Sequence, residues 1–193
     1  AEGGMALTND DDLASRMNLL RSHGITRDSA LMTQEPDGPW YYLQIELGFN
    51  YRMTELQAAL GVSQVDRLDD FVARRHELAR RYDDMLADFP VVTPWQHPDS
   101  YSGLHLYVIR LKLDDIRASH REVFKSLRER GIGVNLHYIP VHTQPYYKEM
   151  GFKADDFSQA MSYYREAISL PMFQGMTYEQ QDQVIEALKL SLV

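Results

Sequence analysis

The sequence contains no cysteine among its 193 residues, which excludes disulfide bonds, thiolate metal ligands and a cysteine nucleophile. It has no stretch near the ~18 consecutive apolar residues that a membrane-spanning helix needs, so a membrane protein is not expected. Basic residues are also in the minority, with 20 against 28 acidic residues and a net charge of −8. A generic surface for nucleic acid or anionic lipid needs a basic patch, so neither partner is expected.

The apolar content is high enough for a folded protein. Hydrophobic residues make up 44% of the sequence, and 12 tyrosines and 7 phenylalanines are spread along it. This composition excludes a disordered chain and predicts a buried core. Residues 1–12 have neither the basic start nor the apolar segment of a secretory signal, so we expect a cytoplasmic location.

Apolar residues at three- or four-residue steps predict one long helix over residues 54–89. Thr54 and Gln57 have the spacing of a capping box at its start. A helix of this length connects domains or bends midway, and Gly61 is one place for a bend. Residues 27–47 show no such period, which predicts an irregular loop.

Residues 90–193 have the pattern of a compact α+β unit with a mainly antiparallel sheet. Ser119 with Glu122 and Thr177 with Gln180 form two further capping boxes, which mark helix starts. The predicted strands and helices follow one another along the chain: strands at 90–94, 104–113 and 134–139, and helices at 119–131, 157–170 and 177–192.

The segment Asn50-Tyr51-Arg52 precedes the long predicted helix and is a candidate anion site. The first turn of a helix offers free backbone N–H groups and a partial positive charge, which attract phosphate. An amide and a guanidinium just before that turn would complete the site. From spacing alone, the simpler interpretation is a capping asparagine followed by a surface arginine.

The segment from His137 to His142, which includes Tyr138 and Pro140, is a second candidate. Its histidines could orient a substrate or bind a metal. No Asp, Glu or Cys lies close enough in the sequence to complete a ligand set, so no metal site is expected. A packing loop rich in tyrosine and proline explains the segment equally well. The chain has no Ser-His-Asp order and no glycine-rich phosphate or dinucleotide motif.

Several short motifs occur in a fixed order along the chain, and together they carry a resemblance. They are Glu2-Gly3-Gly4-Met5, Arg21-Ser22-His23-Gly24-Ile25, Gly48-Phe49-Asn50-Tyr51-Arg52-Met53, Gln57-Ala58-Ala59-Leu60-Gly61 and the run from His137 to Tyr147. In this order they resemble the DegT/StrS family of sugar aminotransferases, over nearly the whole chain. The run from His137 to Tyr147, with Ala167-Ile168-Ser169-Leu170-Pro171, most resembles the pseudaminic-acid branch of that family.

The resemblance implies an α/β fold, the fold type I of pyridoxal-phosphate-dependent transferases. Residues 1–53 would be the tail of the large cofactor-binding domain, residues 54–89 a connecting helix and residues 90–193 the small C-terminal α+β domain. In this family the lysine that forms the Schiff base lies a few residues before the Glu-Gly-Gly turn, hence upstream of Ala1. The resemblance therefore implies a C-terminal part of the enzyme that contains no catalytic residue and is inactive alone.

The resemblance also implies pyridoxal 5′-phosphate as cofactor and active sites built at the interface of a homodimer. Asn50 and Arg52 would bind the phosphate of the cofactor held by the neighbouring subunit. Tyr51, His137 and Tyr138 would lie near the substrate. The implied reaction moves an amino group from L-glutamate to C4 of a UDP- or dTDP-linked 4-keto-6-deoxy sugar, for surface polysaccharide or flagellar glycan synthesis.

Two other functions stay open on the sequence. One is a binding or interaction module without catalysis, because every covalent cofactor contact of the family is absent from the chain. The other is a dehydratase relative that uses the same cofactor, with histidine in place of the lysine. The residues that immediately precede Ala1 would decide between these functions and the aminotransferase.

Overall fold

The computed structural model of the chain describes residues 4–192, and its contacts divide the chain into two compact units. The first unit extends to Asp66 and the second begins at Arg67. Over residues 4–66 the first unit contains two helices and a two-stranded antiparallel sheet: α1 (Asp11–Leu20), β1 (Ile25–Thr26), β2 (Leu43–Gln44) and α2 (Glu55–Val65). Neither of its helices buries a residue, and Leu56 on α2 is 85% exposed.

The second unit is a three-stranded antiparallel sheet with helices packed against it. Its elements are α3 (Leu68–Leu86), β3 (Val91–Val92), β4 (Tyr107–Leu111), α4 (His120–Glu129), α5 (Pro145–Glu149), α6 (Ser158–Glu166), β5 (Ala167–Leu170) and α7 (Tyr178–Ser191). The strand order is β3-β4-β5, with Val91 opposite Leu111 and Tyr107 opposite Leu170. The antiparallel sheet predicted for residues 90–193 is therefore confirmed. No helix among residues 4–192 has the length and apolar character needed to cross a membrane.

The core of the second unit forms where α3, α4 and α7 cover the sheet. Alternate residues of β4 are buried, as expected for a strand with one face toward a core. The Tyr82 ring packs 4.9 Å from the Tyr107 ring, and both residues are fully buried. Tyr82 donates to the carbonyl of Pro171 (2.9 Å) and Tyr107 to Asp83 Oδ1 (2.5 Å), so neither buried hydroxyl is left unpaired. Burial raises the pKa of both phenols.

Three helix starts predicted from capping boxes are confirmed. The side chains of Thr54, Ser119 and Thr177 each accept from the backbone N–H three residues on, and the Glu or Gln at that position bonds back. At the start of α4, hydrogen bonds from Ser119 lower the pKa of Glu122. Capping depends on residues three apart in sequence, so it can be read without knowledge of the tertiary structure.

The single long helix predicted over residues 54–89 is wrong, because α2 ends at Val65 and α3 begins at Leu68. The break lies at Asp66 and Arg67, whereas Gly61 stays inside α2. Arg67 has φ −112° and ψ 5°, outside the helical range. Acidic residues in the first turn of α3 stabilise a new helix start at this point.

The strand predicted at residues 134–139 is also absent, apart from one bridge between Asn135 and Ser169. The Asn135 side chain accepts from the Leu136 N–H (2.9 Å), a local bond that competes with a strand ladder. Pro140 has no N–H to continue the ladder. The segment therefore lies along β5 without becoming a fourth strand.

The helix predicted over residues 157–170 ends early, at Glu166. The following residues, Ala167–Leu170, form β5, and all four are buried. A short buried apolar run has the same hydrophobicity pattern in a strand as in a helix, so the sequence did not separate the two. Pairing with β4 decides the outcome.

Candidate active site

Backbone hydrogen bonds join the turn after α1 to the Asn50-Tyr51-Arg52 segment. The His23 N–H donates to the carbonyl of Phe49 (2.8 Å), and the Tyr51 N–H donates to the carbonyl of Arg21 (3.0 Å). Two motifs that are far apart in sequence are thereby held side by side within the first unit.

Two glycines allow this close approach. Gly24 has φ +70°, and a Cβ there would lie 1.8 Å from the carbonyl oxygen of Glu46. A Cβ at Gly48 would lie 2.3 Å from the Gly24 nitrogen and 2.7 Å from the Leu20 carbonyl oxygen. These distances are far below van der Waals contact, so this packing requires glycine at both positions.

The Arg52 cluster, which we define as His23, Asn50 and Arg52, is formed at this junction. Arg52 Nε and Nη2 donate to Asn50 Oδ1 at 3.3 and 3.1 Å, and Nη2 lies 3.5 Å from His23 Nε2. Among residues 4–192, no carboxylate pairs with Arg52, and its Nη1 has no hydrogen-bond partner. The guanidinium is thus oriented by neutral groups and keeps its full positive charge.

A cleft of about 850 Å³ lies beside Arg52, within the first unit. Its walls are largely apolar and include Met17, Phe49 and Met53. The Tyr51 ring, which also lines it, stacks on the Phe49 ring at 4.8 Å. A mostly apolar cleft with a few polar groups is typical of a small-molecule site.

The start of α2 contributes less to this site than its sequence predicts. Thr54 Oγ1 accepts from the Gln57 N–H, which occupies one of the free donors of the first turn. Glu55 adds a negative charge in the same turn. A bound phosphate would therefore depend on the guanidinium more than on the helix terminus.

The second candidate segment holds its two histidines in different surroundings. His137 Nδ1 lies 2.8 Å from Ser169 Oγ, while Tyr138 is 72% exposed, with its ring 4.8 Å from the His137 ring. His142 is buried, bonds the Ala154 carbonyl (3.2 Å) and packs against an aromatic ring. Its contacts are those of a packing residue. No three His, Cys, Asp or Glu side chains in the described part of the chain are grouped to hold a metal ion.

The candidate residues are divided between the two units. Asn50, Tyr51 and Arg52 lie in the first, and His137 and Tyr138 lie in the second. All five lysines of the chain are exposed residues of the second unit: Lys112, Lys125, Lys148, Lys153 and Lys189. None of them belongs to the Arg52 cluster.

The sequence alone assigned no role to His23 or Ser169, whose side chains contact those of Arg52 and His137. Both occur in motifs that carried the family resemblance. Their partners are 29 and 32 residues away in sequence, so local spacing contains no sign of the contacts. The sequence signals for a role were that His23 directly precedes Gly24 and that Ser169 lies inside the motif of residues 167–171.

Comparison with known proteins identifies the family. The chain belongs to the DegT/DnrJ/EryC1/StrS aminotransferase family, whose profile matches residues 1–189. The predicted family and fold type are confirmed.

Individual relatives cover the same part of the chain. The spore coat polysaccharide biosynthesis protein SpsC of Bacillus subtilis is 39% identical over 191 residues, which are 97% of this chain and 49% of that protein. The putative sugar aminotransferase Spr1654 of Streptococcus pneumoniae has been solved in PMP-, apo- and PLP-forms. Its PMP-form matches with a TM-score of 0.83 and 27% identity, over 95% of this chain and 46% of its own.

A third match is Helicobacter pylori PseC, an aminotransferase involved in the biosynthesis of pseudoaminic acid. It has a TM-score of 0.82 and 27% identity, over 96% of this chain and 47% of its own. The chain spans about half the length of the curated relatives and solved structures that it matches.

Proposed function

We propose that the chain is part of a pyridoxal-phosphate-dependent aminotransferase. It would move an amino group from glutamate to C4 of a nucleotide-linked 4-keto-6-deoxy sugar. Family membership supports the reaction class. The relatives in spore coat polysaccharide and pseudoaminic acid synthesis support a sugar substrate and a product used in a polysaccharide or glycan. This function places the protein in the cytoplasm, where nucleotide sugars are made.

One observation carries this proposal: the Arg52 guanidinium lies beside a cleft and has no carboxylate partner among residues 4–192. The donor set fits a phosphate ester, because Arg52 Nη1 is unpaired within that range. The Asn50 oxygen is turned toward Arg52, which leaves the Asn50 amide nitrogen as a second donor. Asn50 and Arg52 would hold the cofactor phosphate of the neighbouring subunit in a homodimer. When bound, the cofactor supplies the electron sink that amino transfer requires.

The other candidates have supporting roles in this proposal. Tyr51, stacked on Phe49, forms an apolar wall of the cleft and excludes water from one side of the substrate. Ser169 fixes the His137 ring through Nδ1, so Nε2 is the nitrogen left to meet a sugar hydroxyl. Tyr138 is exposed enough to contact the nucleotide sugar.

Covalent attachment of the cofactor is assigned to a lysine outside this chain, at the family position before the Glu2-Gly3-Gly4 turn. The exposure of all five lysines supports this assignment, because a lysine that binds the cofactor is enclosed with it. On this proposal, the 193-residue chain alone binds no cofactor covalently and does not catalyse the reaction.

Arg52→Ala should weaken binding of pyridoxamine 5′-phosphate roughly tenfold or more, because a charge-assisted hydrogen bond contributes ~1.5–3 kcal/mol. Arg52→Lys should give an intermediate affinity, since it keeps the charge but loses the planar fork. Fluorescence titration of the assembled protein measures both affinities.

Pyridoxamine, which lacks the phosphate, is the control ligand, and its affinity should not change. Arg27→Ala is the control variant, because Arg27 is an exposed arginine of the same unit that does not line the cleft. Equal weakening for both ligands would contradict the assignment of Arg52 to the phosphate.

A further inference from the structure

The geometry points to His23 as the positioning residue that holds the Arg52 guanidinium in place for a phosphate monoester. This inference rests on the proposed function and adds a residue to its site. His23 Nε2 lies 3.5 Å from Arg52 Nη2, on the same guanidinium nitrogen that donates to Asn50. The three side chains therefore form one connected group.

The hydrogen bonds of Arg52 determine what each partner does. Arginine has only donors, so a hydrogen bond between the two side chains requires His23 Nε2 as the acceptor, with the ring proton on Nδ1. Asn50 Oδ1 receives bonds from Nε and Nη2, and His23 takes the second hydrogen of Nη2. The guanidinium plane is thus held by two acceptors, and no group among residues 4–192 occupies the Nη1 hydrogens, which remain for a ligand.

Asn50 Oδ1 and His23 Nε2 accept from Arg52 as neutral groups, and this decides how much of the charge on Arg52 is left for a phosphate. A carboxylate would orient the guanidinium equally well, but it would also cancel the charge that attracts a phosphate. An imidazole and an amide orient it and leave its charge available. This matters in a protein with a net charge of −8, where no general positive field helps to bind an anion.

The backbone at His23 supports the same conclusion. His23 has φ +65°, a left-handed conformation that is unfavourable for residues with a side chain, and Gly24 follows with φ +70°. Glycine would adopt this conformation without strain, whereas asparagine, aspartate and histidine adopt it at some cost but more often than other residues with a side chain. A residue kept in a strained conformation next to a candidate site indicates a role for its side chain. The contact with Arg52 supplies that role.

Two substitutions separate the role of the side chain from that of the backbone. His23→Gln places an amide oxygen near the position of Nε2 but is poorly suited to the left-handed backbone. His23→Asn suits the backbone but is too short to reach Arg52. We expect His23→Asn to bind pyridoxamine 5′-phosphate about fivefold more weakly and His23→Gln to recover most of that loss. Melting temperatures should rank in the opposite order, with His23→Asn above His23→Gln.

The rigidity of the Arg52 side chain can be measured without a ligand. The ¹⁵N order parameter of the Arg52 Nε–H group in the ligand-free assembled protein should fall in His23→Asn and remain near the wild-type value in His23→Gln. His97→Gln is the control, because His97 is an exposed histidine of the second unit, and it should change neither affinity nor order.

The outcomes separate this inference from the proposed function. The inference would be overturned if His23→Asn kept the wild-type affinity for pyridoxamine 5′-phosphate and the wild-type order parameter at Arg52. It would also be overturned if His23→Asn bound this ligand more tightly than His23→Gln, in the same ranking as their melting temperatures. If the wild-type protein does not prefer pyridoxamine 5′-phosphate over pyridoxamine, the proposed function fails. A loss of Arg52 order in His23→Asn would, in that case, still support the positioning contact.

Discussion

Gly24→Ala should reduce the affinity for pyridoxamine 5′-phosphate about a hundredfold or more. The added Cβ would lie 1.8 Å from the Glu46 carbonyl oxygen, where ordinary contact begins at 3.4 Å, and φ +70° is strained for alanine. The turn at His23 must then move away from the Glu46 backbone, which disturbs its contacts with the adjoining Arg52 segment. Two charge-assisted hydrogen bonds to phosphate, worth ~1.5–3 kcal/mol each, would be lost together. Titration with the phosphorylated and unphosphorylated ligands measures this loss.

Gly48→Ala should have a similar effect, because its Cβ would collide with the same turn. The matched control is Gly61→Ala on α2, where an added Cβ meets nothing within 4 Å. That substitution should leave binding unchanged and stabilise the helix by up to ~1 kcal/mol. If Gly24→Ala kept the wild-type affinity for pyridoxamine 5′-phosphate, the close approach of the turn after α1 to the Arg52 segment would not be required for binding.

Tyr82→Ala should lower the free energy of unfolding of the second unit by about 3–5 kcal/mol. The substitution removes a fully buried ring that packs on Tyr107 and leaves the Pro171 carbonyl without its donor. Total stabilities of about 5–15 kcal/mol are usual, so this is a large fraction of the whole. Urea denaturation followed by circular dichroism measures the change.

Tyr82→Phe separates the ring from the hydroxyl. It keeps the packing and loses only the hydrogen bond to Pro171, so we expect a loss of about 1 kcal/mol. If the phenylalanine and alanine variants are equally destabilised, the ring is not the part that stabilises the core. If the alanine variant loses less than about 1 kcal/mol, Tyr82 is not a core residue.

The elements that the sequence predicted well depend on short-range signals. The helix starts at Thr54, Ser119 and Thr177 follow from side chains that bond within one turn. The strand predicted at residues 104–113, a segment rich in apolar residues, likewise contains β4. These signals are local in the chain, so no knowledge of distant contacts is needed to read them.

The elements that the sequence predicted wrongly depend on contacts from elsewhere. Ile168 fits a helical period, but pairing with β4 places it in a strand. Asn135 lies in an apolar run, but its side chain bonds the next backbone N–H and the strand does not form. The break at Asp66 has neither glycine nor proline to signal it.

The same division applies to the candidate site. Asn50 and Arg52 were named as candidates because a short motif places them beside a helix start. His23 was not, because its contact with Arg52 spans 29 residues and depends on two glycines that let the backbones meet. A motif can name the residues of a site without giving the geometry that joins them.

The exposed surface of the first unit is consistent with a chain that functions within a larger assembly. Leu56, Leu60, Val62 and Val65 on α2 are all exposed. Exposed apolar side chains in this number on one helix are unfavourable in water unless another protein surface covers them. The chain also spans only about half the length of its curated relatives and of the solved structures that it matches. Both observations support a site completed by parts that this chain does not contain.

The central claim, that Arg52 serves the active site of the neighbouring subunit, is tested most directly by mixing two inactive variants. One variant carries Arg52→Ala and keeps the Schiff-base lysine of the family. The other keeps Arg52 and lacks that lysine. The two are unfolded, mixed in varied ratios and refolded, and amino transfer from glutamate is measured. With the cofactor held well below the weakened dissociation constant of the Arg52→Ala sites, each variant alone should show little or no activity.

If the site is shared, a mixed dimer contains one complete site, which combines the lysine of one subunit with the Arg52 of the other. Random mixing at equal ratio should then restore up to about a quarter of the wild-type activity. Activity should fall again as either variant becomes dominant. A mixture that stays inactive at every ratio, while dimers form normally, would contradict the shared site.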